Sequence, residues 1–219
     1  MANRQYIAEF TGTLLLVATI VGSGIMAENL AQGNTAVALL ANAIATGSIL
    51  YVLITLFGPI SGAHFNPVVT MVMLMLNQLS ASKSVLYILS QVFGGVLGAW
   101  MAHAMFDLPI LQLSANVRAG LSIYFSEAIA TFGLLLTILL GIRYKLEAIP
   151  TLVALYITSA YWFTSSTSFA NPAVTIGRTL TDTFSGINYQ NTFPFVSAQI
   201  IGAIAALIFY RFLVYESKR

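Results

Sequence analysis

Long apolar runs alternate along the chain with short polar breaks. Six of these runs, at roughly 5–27, 35–57, 83–104, 119–141, 148–167 and 193–214, reach the length of about 20 residues that a helix needs to cross a bilayer. The first is too long for a removable signal peptide, and no cleavage site follows its apolar core. Between the second and third runs, and again between the fifth and sixth, the pattern changes. There the chain reads SGAHFNPVVTMVMLML and STSFANPAVTIGRTL, each with an apolar segment of about ten residues, too short to span alone. The pattern therefore predicts an all-α membrane protein with six transmembrane helices and two re-entrant half-helices.

Composition agrees and narrows the chemistry. Of 219 residues, 58% are hydrophobic and 7% charged, against roughly 25% charged in a soluble domain. With 9 Lys+Arg, 7 Asp+Glu, 2 His and no Cys, there is no basic face for nucleic acid. Disulfides, thiol catalysis and thiolate metal sites are excluded. No constellation suggests an enzyme, a cofactor or a metal site. If the six spans alternate from a cytoplasmic N-terminus, Arg4, Lys83, Arg143, Lys145, Arg211, Lys218 and Arg219 fall inside, and Arg118 and Arg178 outside. This positive-inside bias predicts that both termini are cytoplasmic and that the short segments enter from opposite faces.

The two halves, about 1–115 and 116–219 of one channel domain, look alike. AEFTGTLLLVATI resembles SEAIATFGLLLTI, pairing Glu9 with Glu127, and SQVFGGVLGAW resembles SAQIIGAIAAL, pairing Gln91 with Gln199. Three spans per half is an odd number, so the repeat is inverted. Interrupted segments at matching positions of such halves point to a central binding or conduction site.

Asn66-Pro67 and Asn171-Pro172 each open one of the short segments. Asn is a strong helix N-cap, and Pro suits the first helical position. The preceding GAHF and TSFA stretches then read as non-helical, which membrane depth tolerates only against protein or a cavity. If both half-helices start near the midplane, their positive ends face each other and repel cations. Upstream carbonyls accept hydrogen bonds from a file of neutral molecules, and the Asn amides donate to it. Such a centre conducts a neutral polar solute while excluding protons.

On AEFTGT, SGAHFNPVVT and ANPAVT, the chain resembles the major intrinsic proteins, the aquaporins and aquaglyceroporins, over nearly its whole length. The pore motifs are then Asn66, Pro67 and Val68, and Asn171, Pro172 and Ala173, with Val68 where the family usually has Ala. The resemblance implies a filter on the outer side, with an arginine three residues after the second Asn. Here that position is Val174, and the other filter positions map to Thr46, Ser159 and Ser168. Replacing an aromatic, a histidine and an arginine by small residues should widen the filter. It would then pass polyols or protonated metalloid acids as well as water. The sequence around Val174 resembles the bacterial aquaglyceroporins associated with arsenic resistance, which implies arsenite or methylated arsenicals as solutes. A homotetramer in the bacterial inner membrane is likewise implied.

Glu9 and Glu127, intramembrane carboxylates, read either as braces for the irregular backbone or as proton-coupling groups; the repeat favours braces. His64 matches a bracing or pore-lining position of the family. Arg178 has two readings. It forms an electropositive outer vestibule that draws anions such as pentavalent arsenicals, or it is tethered to Asp182 at i+4 and to the last carbonyls of the half-helix; the tether is favoured. Two turns, roughly 10 Å, separate it from Asn171, so it does not read as a substitute for the missing arginine. The rival functional classes are a water-selective channel and an alternating-access transporter. The transporter needs midplane coupling residues beyond the two glutamates.

Overall fold

A computed structural model describes residues 3–216. Lys218 and Arg219, counted on the inner side above, lie outside the described residues. Eight α-helices follow in the order α1 (Arg4–Leu30), α2 (Thr35–Ser61), α3 (Pro67–Met75), α4 (Ala81–Met105), α5 (Leu121–Tyr144), α6 (Ile149–Phe163), α7 (Pro172–Thr179) and α8 (Thr192–Glu216). Six of them, α6 with the 3-10 turn Leu146–Ala148 before it, are long and apolar enough to cross a membrane. The short α3 and α7 are the two half-helices.

The spans match the apolar runs at both ends to within four residues. The fifth was expected to continue to 167, and α6 stops at Phe163. Thr164 turns extended at φ −111°, ψ 136°, and the Thr-Ser-Ser-Thr run at 164–167 offers side-chain oxygens that compete with helical bonding. The chain there is already the approach to α7.

α1 packs mainly against α4 and α2, and α5 against α8 and α6. Glycines let the first helix of each half meet the last at backbone distance. A Cβ on Gly94 or Gly98 would strike the Phe10 or Leu14 carbonyl oxygen of α1, and one on Gly202 the Ala128 carbonyl of α5. Without a hydrophobic drive between helices in lipid, such close approach is what holds spans together. Large apolar side chains such as Leu56, Phe93, Phe125, Ile201 and Phe212 are exposed on the outer faces, where a bilayer solvates them.

Gly98→Leu should therefore separate α1 from α4. Overpacking a tight contact costs about 1–3 kcal/mol, read as a lower thermal midpoint in detergent. An unchanged midpoint would show that the contact is slack.

Candidate functional site

The site is built from the two non-helical approaches to α3 and α7. Each ends on an Asn in extended conformation, Asn66 at φ −154°, ψ 120° and Asn171 at φ −157°, ψ 113°. Asn66 Oδ1 accepts from Val68 N at 3.0 Å, and Asn171 Oδ1 accepts from Ala173 N at 2.9 Å and Val174 N at 3.3 Å. Both residues are N-caps, with Pro67 and Pro172 in the first helical position. The amides then cross over. Asn66 Nδ2 donates to Ala170 O and Asn171 Nδ2 to Phe65 O, both at 2.8 Å. The half-helices thus meet N-terminus to N-terminus. Each Asn amide keeps a second N–H for a passing molecule.

The approaches themselves are held in an unfavourable backbone conformation. Ala63 and Phe65 in one, and Thr167, Ser168 and Ala170 in the other, have φ between 48° and 60°. For residues with a Cβ, this region costs roughly 1–2 kcal/mol each. The geometry turns backbone N–H groups to one side, where a carboxylate collects them. Glu9 Oε1 accepts from Ser61 Oγ at 2.6 Å and His64 N at 2.9 Å, and Oε2 from Phe65 N at 2.7 Å and Gln91 Nε2 at 2.8 Å. Glu127 Oε2 accepts from Phe169 N at 3.2 Å, and Oε1 from Ala170 N and from Gln199 Nε2, the last at 2.8 Å. Gln91 and Gln199 also donate to Thr70 Oγ1 and Thr175 Oγ1, each at 2.9 Å. The two halves carry the same circuit.

With the N–H groups taken, the carbonyls are left over. Among the described residues, those of Gly62, Ala63 and His64 accept no protein hydrogen bond, nor do those of Thr167, Ser168 and Phe169. All six residues but Thr167 line one elongated cavity of about 640 Å³. It begins beside the turn between α5 and α6, at Leu146 and Glu147, and passes Asn66 and Asn171. His64 faces the cavity, and its Nδ1 lies 3.0 Å from Thr70 Oγ1. Beyond the two Asn residues, the wall is formed by Thr46, Tyr161, Ser168, Phe169, Val174 and Arg178.

Three of the four expected filter residues, Thr46, Ser168 and Val174, come together here, and Ser159 does not. Ser159 is exposed on the outer face of α6, its hydroxyl turned back to Leu155 O at 2.8 Å. The inward face of α6 carries Val153, Ile157 and Tyr161. Tyr161 Oη lies 3.1 Å from Thr46 Oγ1. Helical periodicity places 153, 157 and 161 on one stripe, and that signal would have found Tyr161 in place of Ser159.

Arg178 also departs from expectation. It is 2% exposed and is not tethered to Asp182, whose Oδ1 accepts instead from Ala115 N at 2.8 Å. Arg178 Nε donates to Ser185 O, and its guanidinium carbon sits 3.4 Å from the centre of the Phe169 ring. Arg118, on the 106–120 connection, lies over the same ring at 5.3 Å and donates to Gly186 O and Phe184 O. Burial holds the Arg118 guanidinium below its ordinary range.

Two short helices meeting at their N-termini within six spans, around a lined cavity, define a membrane pore of the aquaporin type. The chain belongs to the major intrinsic protein family, whose model matches residues 1–168. It is 52% identical over 216 residues to aquaglyceroporin AqpS of Rhizobium meliloti, covering 99% of this chain and 92% of that one. It is 30% identical over 252 residues to aquaporin AqpM of Methanothermobacter marburgensis, with 98% of each chain covered. The solved aquaglyceroporin of Plasmodium falciparum has the same fold, with a TM-score of 0.74 at 21% identity, covering 97% of this chain and 95% of that one.

Exchanging Glu9 for Gln points amide hydrogens at N–H donors. It should cost about 2–5 kcal/mol, seen as reduced yield of folded protein, with unchanged pH dependence of flux in what folds. Loss of a proton-driven solute gradient in that variant would instead mark Glu9 as a coupling group.

Proposed function

We propose that the protein is a passive, uncoupled channel for water and for neutral solutes of polyol size. The observation that carries this is the make-up of the outer wall. Where a narrow, water-selective ring needs bulk and a fixed guanidinium at position 174, this chain has Val174 facing the same cavity as Thr46 and Ser168. Beside Tyr161 and Phe169, the small Thr46, Ser168 and Val174 leave room for a three-carbon polyol, while the Asn amides and free carbonyls offer the hydrogen bonds that a hydroxylated solute loses on leaving water. The name of the Rhizobium relative, an aquaglyceroporin, supports the same reading.

Arsenous acid and its methylated forms fit by the same argument, since the acid is small, uncharged near neutral pH and rich in hydroxyls. Residues 1–219 act as one channel domain, assembled as a homotetramer in a bacterial inner membrane with both termini cytoplasmic. Arg4, Lys83, Arg143, Lys145 and Arg211 support that orientation.

The test is a solute panel in proteoliposomes: water, glycerol, arsenite and methylarsenate, with wild type beside Val174→Arg. Wild type should pass water and glycerol without saturation, and the variant should lose glycerol flux about tenfold while keeping water flux. Wild-type vesicles that admit water but exclude glycerol and arsenite would overturn the wide-filter reading. Equal glycerol flux in the variant would show that Val174 does not set the filter.

A further inference from the structure

Side chains on an α-helix lean toward its N-terminus, so a long residue covers the turn before its own Cα. α7 runs outward from the pore centre, and Arg178 stands one turn beyond Val174 on the same face. Its side chain therefore reaches back toward the level of Val174. The contacts agree: the guanidinium rests on Phe169, a residue that precedes the half-helix, and Arg178 lines the cavity with Val174 and Ser168.

The polar atoms there are incompletely used. Arg178 Nη1 and Ser168 Oγ are both buried without a hydrogen-bond partner, on side chains each 2% exposed. The neighbouring cation is committed elsewhere, since Arg118 donates to two loop carbonyls and lines a separate outer cleft with Glu28 and Asp182. Arg178 is the guanidinium left beside the pore.

We propose that Arg178 is the filter arginine of this channel, supplied from the next turn of α7, and that it excludes cations at the level of Val174 while leaving that level wide. The assignment rests on the channel reading above. A positive charge set against the wall repels ions through the low-dielectric pore, whereas steric narrowing requires the side chain to cross the lumen. Stacking on Phe169 keeps the guanidinium at the wall. Charge selectivity and size selectivity are thereby separated onto two residues, Arg178 and Val174.

The competing role is structural, a clamp through Nε on the Ser185 carbonyl. Two variants divide the roles. Arg178→Gln keeps an N–H donor for Ser185 and loses the charge; Arg178→Lys keeps the charge and loses the planar fork. Proton and Na⁺ leak would be measured in proteoliposomes of the full chain under a clamped potential, beside water and glycerol flux. The Gln variant should leak on the order of tenfold more than wild type, the Lys variant should stay tight, and Val174→Arg combined with Arg178→Gln should restore exclusion with reduced glycerol flux. A tight Gln variant, a Lys variant that leaks equally, or loss of folded protein in both variants would overturn the assignment. A wild type that passes neither water nor glycerol would instead bring down the channel reading itself.

Discussion

The structure depends on two buried carboxylates. Non-helical backbone at membrane depth must have its polar groups satisfied, and Glu9 and Glu127 do this for the approaches to α3 and α7. A charged side chain at the bilayer centre costs about 3 kcal/mol on insertion scales. Hydrogen bonds to charged groups contribute roughly 1.5–3 kcal/mol each, and Glu9 accepts four of them. The bonds exceed the insertion penalty and offset much of the backbone strain at Ala63 and Phe65. Donors occupy both oxygens of Glu9, and Ser61 Oγ, which accepts from Ala63 N, has its own proton free to give. These bonds support the reading of Glu9 as a brace for the irregular backbone.

Conduction is a by-product of that satisfaction. Because the carboxylates take the N–H groups on one side, the carbonyls on the other remain for solute. Because each Asn spends its oxygen on its own helix and one amide hydrogen on the opposite loop, the second hydrogen faces the cavity. The two helix N-termini, each roughly half a positive charge, are locked together by those crossed amides. The same bonds that hold the halves in register thus concentrate positive potential where a proton would have to pass.

The fold was largely legible in the sequence because its determinants are local. Span lengths follow from apolar runs, the half-helices from Asn-Pro, and the repeat from Glu9 with Glu127 and Gln91 with Gln199. The placement of side chains was legible next to their own motif, as with Asn66, Asn171 and Val174, which line the cavity. It was illegible where position depends on rotation about a helix axis. Ser159 and Tyr161 lie two residues apart on α6, and counting back from a motif cannot separate them, whereas the stripe of Val153, Ile157 and Tyr161 marks the face that packs inward. Likewise, i+4 spacing permits an Arg178–Asp182 pair, but α7 ends at Thr179, so Asp182 no longer lies on the helix.

Distance along the axis misleads in the same way. Counting from Asn171 to Arg178 sets the arginine two turns away from the pore centre, and counting Cα positions is the wrong measure for a side chain several bonds long. The lean of helical side chains toward the N-terminus shortens the reach, and the Phe169 ring, delivered by the loop before the helix, fixes where the guanidinium stops. A substitution of arginine by valine at position 174 therefore does not by itself remove positive charge from the filter. On the assignment proposed above, the charge sits at the wall and the level of Val174 is shared with Thr46, Ser168 and Tyr161, so the pore's electrostatics and its width fall to different residues.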